Sequence, residues 1–96
     1  MAIKNDIYGA LKGFSMLAHF KHEYTNIGPH KVCKFFLNNG REIHYELIPI
    51  GYNYYHYPLD KAEIMILEQL PTHRISLGKF KTKKDAQKKL AEILTA

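Results

Sequence analysis

Residues 31–50 read KVCKFFLNNGREIHYELIPI, and the way this stretch folds back on itself sets the architecture. Two runs rich in β-branched and aromatic residues flank Asn38-Asn39-Gly40, the pattern of a β-hairpin over 31–37 and 41–50. Loop length fixes the register. A two-residue Asn39-Gly40 turn would set Phe35 opposite His44 and Leu37 opposite Glu42. A three-residue loop, with Gly40 supplying the left-handed conformation, sets Phe35 opposite Ile43 and Cys33 opposite Tyr45. Lys34 then faces His44, and Val32 faces Glu46. The second register collects the apolar side chains on one face and is the one expected. The opposite face would hold Lys34, Glu42, His44 and Glu46 and is expected to be the more exposed, although Phe36 falls on it.

Toward the N-terminus, Ile7, Ala10, Leu11, Phe14, Leu17 and Ala18 recur at helical spacing, which predicts a helix over 5–19. Asn5 or Asp6 would cap it. Gly9 and Gly13 weaken that helix, each by about 1 kcal/mol relative to Ala. The helix should stop before Gly28-Pro29.

On the other side of the hairpin, residues 51–60 read GYNYYHYPLD. Tyr52, Tyr54, Tyr55 and Tyr57 crowd this segment, and Pro58 ends any regular strand there, so a loop or irregular edge strand is expected. Residues 61–70 fit two readings. Asp60 with Glu63 is a capping-box pattern, with Ala62, Met65, Ile66 and Leu70 on one helical face. Alternatively Ile64-Met65-Ile66-Leu67 is a short buried strand that turns at Leu70-Pro71-Thr72-His73 and pairs with 74–80. Residues 74–80 read as a strand. Thr82 then caps a final helix with Asp85 at its third position, and Ala86, Leu90, Ile93 and Leu94 form its buried stripe.

The chain has 96 residues, of which 46% are hydrophobic and 24% charged, enough for one small core and unlike a disordered chain. The expected architecture is therefore a single α+β domain over 1–96. An antiparallel sheet of three to five strands would be packed by an N-terminal helix and a basic C-terminal helix. No apolar run approaches the length of a membrane span. Asp6 and Lys12 break any signal-peptide core, so a cytoplasmic location is expected. The lone Cys33 excludes an internal disulfide framework. In an inward-facing strand position it reads as inert packing.

The formal net charge is +5, and it is unevenly placed. Residues 79–96 hold six lysines against Asp85 and Glu92, a net of +4, whereas residues 1–78 hold eight basic and seven acidic residues. Lys79, Lys81, Lys83, Lys84 and Lys88 therefore gather where a strand meets a capped helix. A helix N-terminus offers unpaired N–H groups and partial positive charge, and lysines added there make a phosphate-binding corner. A solvated lysine-rich face is the alternative reading of the same residues.

Gly78-Lys79-Phe80-Lys81-Thr82-Lys83-Lys84-Asp85-Ala86 resembles the strand-to-helix junction that closes double-stranded RNA-binding domains. In that family, lysines at the start of the last helix contact phosphates across a groove. Gly28-Pro29-His30 followed by a strand is similar to the loop before that family's first strand. A similar junction occurs in the arm-binding domains of phage-type integrases and in unrelated α+β modules. Strand, cap and helix chemistry explains most of the pattern, and no family membership follows from it.

The histidines carry no metal-binding pattern. His19 and His22 are three apart, near the expected end of the first helix, and His30, His44, His56 and His73 fall one per segment. Glu42, His44 and Glu46 alternate on one strand face, where general acid–base work would need a cleft. There is no Gly-rich phosphate loop, nucleophile elbow or paired-carboxylate motif, so neither catalysis nor a cofactor is expected. The leading expectation is a small non-enzymatic nucleic-acid-binding domain, with the five lysines on phosphates and Tyr52, Tyr54, Tyr55 and Tyr57 stacking or touching a partner. The alternative is a small protein-interaction module, such as a phage or mobile-element inhibitor or accessory protein, that binds through the tyrosine-rich loop. A homodimer through an open sheet edge is compatible with both.

Overall fold

Strand β3, Glu42–Pro49, is the middle strand of a five-stranded antiparallel sheet in a computed structural model that describes residues 7–27, 30–49 and 62–96. Its neighbours are β2 (His30–Phe36) and β4 (Ala62–Gln69), and the edges are β1 (Lys21–Ile27) and β5 (Arg74–Phe80). The strands run in chain order, β1-β2-β3-β4-β5, each paired with its sequence neighbour. A helical turn, α1 (Ile7–Ala10), and a 3₁₀ turn (Leu17–His19) precede the sheet, and helix α2 (Lys83–Leu94) follows it. The class is α+β, and no helix among the described residues is long and apolar enough to cross a membrane.

The β2–β3 hairpin takes the register of the three-residue loop. Phe35 lies opposite Ile43, Cys33 opposite Tyr45, Lys34 opposite His44 and Val32 opposite Glu46. Gly40 has φ +88°, the conformation that closes such a loop without a Cβ penalty. The Leu37 amide donates to the Arg41 carbonyl at 2.9 Å, and the Asn39 side chain accepts from the Arg41 amide at 3.0 Å. Residues 62–69 form a strand rather than a helix. With β3 on one side and β5 on the other, a central ladder satisfies their backbone groups more fully than a short helix with unpaired ends would.

The N-terminal expectation is corrected. Residues 5–19 do not form a continuous helix: after one turn, Gly13 adopts φ +85° and the backbone leaves the helical path. A single turn gains too little to sustain itself, since the nucleus fixes several dihedrals for one hydrogen bond. The apolar stripe still reaches the core. Ile7, Ala10 and Leu11 are buried, and Phe14 and Leu17 pack against them. Residues 21–27, to which no sequence pattern assigns an element, form edge strand β1 against β2. Gly28-Pro29, whose sequence resembles the loop before the first strand of double-stranded RNA-binding domains, lies outside the described residues.

One face of the sheet is the main core. Phe35, Ile43, Tyr45, Leu47, Ile64 and Ile66 are fully buried there, with Cys33 beside Tyr45. Helix α2 covers β4 and β5 through Ala86, Leu90, Ile93 and Leu94, the stripe its spacing predicts, and α1 covers β2 and β3. Each large aliphatic side chain so buried contributes about 1.5–3 kcal/mol. Burial pushes the Cys33 thiol up to about 12 and raises the Tyr45 phenol in the same direction, so both stay neutral and act as packing groups.

The second face departs from expectation. His44 is 4% exposed and Glu46 3%, and Val32 and Leu67 are also buried. The reason lies in the neighbouring strands: Val32 and Phe36 of β2 and Met65 and Leu67 of β4 flank the polar residues of β3 on that face. Only the rims of this face carry the exposed charges Lys21, Glu23, Arg74 and Lys79.

A β-bulge in β5 sets where its last residues point. Leu67 is opposite Ser76 and Ile66 is opposite Gly78, so Leu77 is the extra residue. Without it, residues 74, 76, 78 and 80 would share one face. With it, Gly78 and Phe80 turn to the core face and Lys79 turns to the second. Gly78 has φ +150°, and a Cβ there would stand 2.8 Å from the Phe80 ring, which lies over the glycine.

Candidate functional site

The basic corner begins where β5 ends at Phe80. Lys81 and Thr82 form the link, and α2 starts at Lys83. Thr82 is extended (φ −128°, ψ 148°), and its Oγ1 accepts from the Asp85 amide at 3.3 Å while donating to Asp85 Oδ2 at 3.1 Å. This reciprocal cap stops the strand and starts the helix at one residue. The first helical bond runs from the Ala86 amide to the Thr82 carbonyl at 3.2 Å. The amides of Lys83 and Lys84 have no acceptor among the described residues, so two N–H groups face outward at the positive end of the helix dipole.

Burying Ala86, Leu90, Ile93 and Leu94 turns the rest of the helix outward. Lys81, Lys83, Lys84 and Lys88 are exposed, and Lys84 and Lys88 are one turn apart on the same side. Lys89 is half-buried and lies 3.8 Å from Glu92, so its charge is partly matched. The Asp85 carboxylate offsets part of the positive potential of the first turn.

The structure separates Lys79 from this group. It is exposed, but the bulge sends it to the second face, whereas α2 and its lysines lie over the core face. The five lysines that fall within residues 79–88 thus form a cluster of four at the link and helix, with a fifth reaching from the other side of edge strand β5. Tyr52, Tyr54, Tyr55 and Tyr57 fall in residues 50–61, outside the described residues.

The alternating residues of β3 form a chain of polar side chains that sequence spacing only hinted at. Glu42 Oε2 is 2.5 Å from His44 Nε2, His44 Nδ1 is 3.9 Å from Glu46 Oε2, and Glu46 is paired with Arg74 from β5. Among the described residues His44 Nδ1 has no hydrogen-bond partner. The chain runs along β3 between apolar residues of β2 and β4 and crosses to β5 through Glu46 and Arg74, so it ties β3 to β5 across β4.

A bidentate pair ties the start of β3 to β4 at the hairpin end. Arg41 Nε donates to Glu68 Oε2 at 3.0 Å and its Nη2 to Oε1 at 2.8 Å. That guanidinium holds the Glu68 carboxyl below its usual range and is itself raised by the pairing. A shallow groove of about 280 Å³ lies at the far end of α2, between Phe20, Phe36, Leu37 and Leu94, with Lys21 and Asn38 at its rim. None of the five predicted site lysines lines it. Among the described residues no group of three or more His, Cys, Asp or Glu is placed to hold a metal ion. No protein-family model matches the chain, and comparisons with curated proteins and with solved structures find no match.

Proposed function

We propose that this protein is a small nucleic-acid-binding domain that grips phosphates at the start of α2. The observation that carries the reading is the crowding of exposed Lys81, Lys83, Lys84 and Lys88 around two outward-facing backbone amides, in a chain that is otherwise nearly neutral. Phosphate oxygens accept from both kinds of donor, and releasing condensed counterions supplies the driving force. Lys79, on the second face of β5, adds a contact only to a ligand that wraps the sheet edge. Lysine is a point charge without a planar fork, so this site recognises backbone rather than base sequence.

Fluorescence anisotropy with mixed-sequence DNA and RNA at low salt tests the reading. The support would be binding whose affinity falls linearly with log salt and is weakened alike on all sequences by Lys81→Ala/Lys83→Ala/Lys84→Ala. Absence of binding to every probe at low salt would overturn it. Unchanged affinity in the triple variant would remove the site from this corner.

A further inference from the structure

The two edges of the sheet differ. β5 carries a bulge, a positive-φ glycine and the cations Arg74 and Lys79, with no acidic residue from 74 to 81. Such an edge repels a second copy of itself and is poorly shaped for pairing. β1 has neither bulge nor positive-φ glycine, and its cation Lys21 is matched by the acidic Glu23. Its seven residues pair with β2 in unbroken register, without Gly or Pro, and Lys21 and Glu23 are exposed on the second face.

We propose that the protein associates with a second copy of itself through the β1 edge, antiparallel, with His22 at the two-fold axis. Charge complementarity selects both occupant and register. A two-fold axis normal to the sheet makes every opposing pair share a face, so the sum of paired residue numbers is even. Centring on Glu23 opposes two carboxylates. Centring on Tyr24 sets Glu23 against the partner's Thr25 and leaves Lys21 without an acid. Centring on His22 sets Lys21 against the partner's Glu23, twice. Each Glu23 then lies between Lys34 of its own β2 and the partner's Lys21. On the core face the same register sets half-buried Phe20 against the partner's half-buried Tyr24, also twice, and Phe20 is already extended (φ −126°, ψ 141°). Opposite charges and aromatic pairs directly across an antiparallel ladder are mutually stabilising. The product is a continuous ten-stranded sheet with a bulged β5 at each end. The proposal is independent of the nucleic-acid reading.

Sedimentation velocity at low ionic strength, on full-length protein freed of nucleic acid, tests it from about 10 μM to 1 mM, the range for a small strand-edge interface. Wild type should pass from monomer to dimer across that range. Glu23→Lys and Lys21→Glu should each raise the dimer dissociation constant about tenfold or more, because two attractive pairs become repulsive. The double variant Lys21→Glu/Glu23→Lys restores both pairs with their signs reversed and should recover the dimer, which distinguishes a broken ion pair from a broken fold. A wild type that stays monomeric, a dimer indifferent to the single changes, or a double variant that stays monomeric would each overturn the proposal.

Discussion

Tyr45 and Gln87 donate to the same acceptor, the backbone carbonyl of Ala10, at 3.2 and 2.9 Å. One donor comes from the central strand and the other from the C-terminal helix, and the acceptor ends the single turn of α1. Three segments far apart in sequence are joined at one buried oxygen. This is how an N-terminal segment with almost no regular structure is held against the core.

Sharing one acceptor predicts non-additive energetics. Tyr45→Phe and Gln87→Met each leave the carbonyl one donor and should cost about 1 kcal/mol or less. The double variant strands a buried carbonyl and should cost about 1 kcal/mol more than the sum of the singles. Urea unfolding of the four proteins measures this, and additive losses would show that the two bonds do not act on a common group.

Gly78→Ala should destabilise the protein by about 1–3 kcal/mol, because a side chain at φ +150° is strained and its Cβ meets the Phe80 ring. Denaturant midpoints report it. An unaffected midpoint would mean that the bulge at Leu77 does not depend on this backbone conformation.

The Arg41–Glu68 pair should show in acid. Its contribution is fully present above the ordinary carboxylate value and disappears as pH falls through the lowered Glu68 value, where the carboxyl is protonated in both states. The melting-temperature gap between wild type and Glu68→Gln should be constant from neutral pH to about pH 5 and close below about pH 4. The gap corresponds to at most about 1 kcal/mol, as for partly exposed ion pairs.

Cys33 should resist alkylation in the native protein at pH 8 and react on unfolding, since burial holds its thiol near 12. Its raised value also makes stability fall as pH rises above the ordinary thiol value of 9.0 toward about 12. Any advantage of wild type over Cys33→Ala should therefore narrow across that interval in melts followed by circular dichroism.

If the basic corner binds phosphates, the triple change of Lys81, Lys83 and Lys84 to Ala should lower the log–log salt slope on duplex DNA. The expected decrease is about 0.9 for each phosphate that is no longer neutralised. Lys79→Ala, from the opposite face, should lower it less than Lys84→Ala does. Thermal stability should hold or rise by a few tenths of a kcal/mol, because cations beside a helix N-terminus are mildly unfavourable. Equal effects of Lys79 and Lys84 would place both on one binding surface.

Where interactions are local, the amino-acid sequence determined the outcome by itself. The register of the β2–β3 hairpin follows from Asn38-Asn39-Gly40 together with the alternation of the flanking residues, because of the two loops these residues allow only the three-residue one collects the apolar side chains on one face. The cap and buried stripe of α2 follow from Thr82, Asp85 and the spacing of Ala86, Leu90, Ile93 and Leu94, all within a few turns of one another. The charge of the corner is equally legible, since it is a run of lysines. Tertiary structure decided what depends on partners distant in the chain. Residues 21–27 alternate weakly and become a strand only because β2 offers a ladder. Residues 62–69 fit a helix or a strand until β3 and β5 flank them on both sides. The spacing of Ile7 to Ala18 suits a helix, yet Gly13 turns out of it and the same apolar residues fill the core from an irregular path. Lys79 stands beside Lys81 in sequence and on the opposite face from the lysines of α2 in space, because one extra residue at Leu77 inverts the alternation of the strand that carries it.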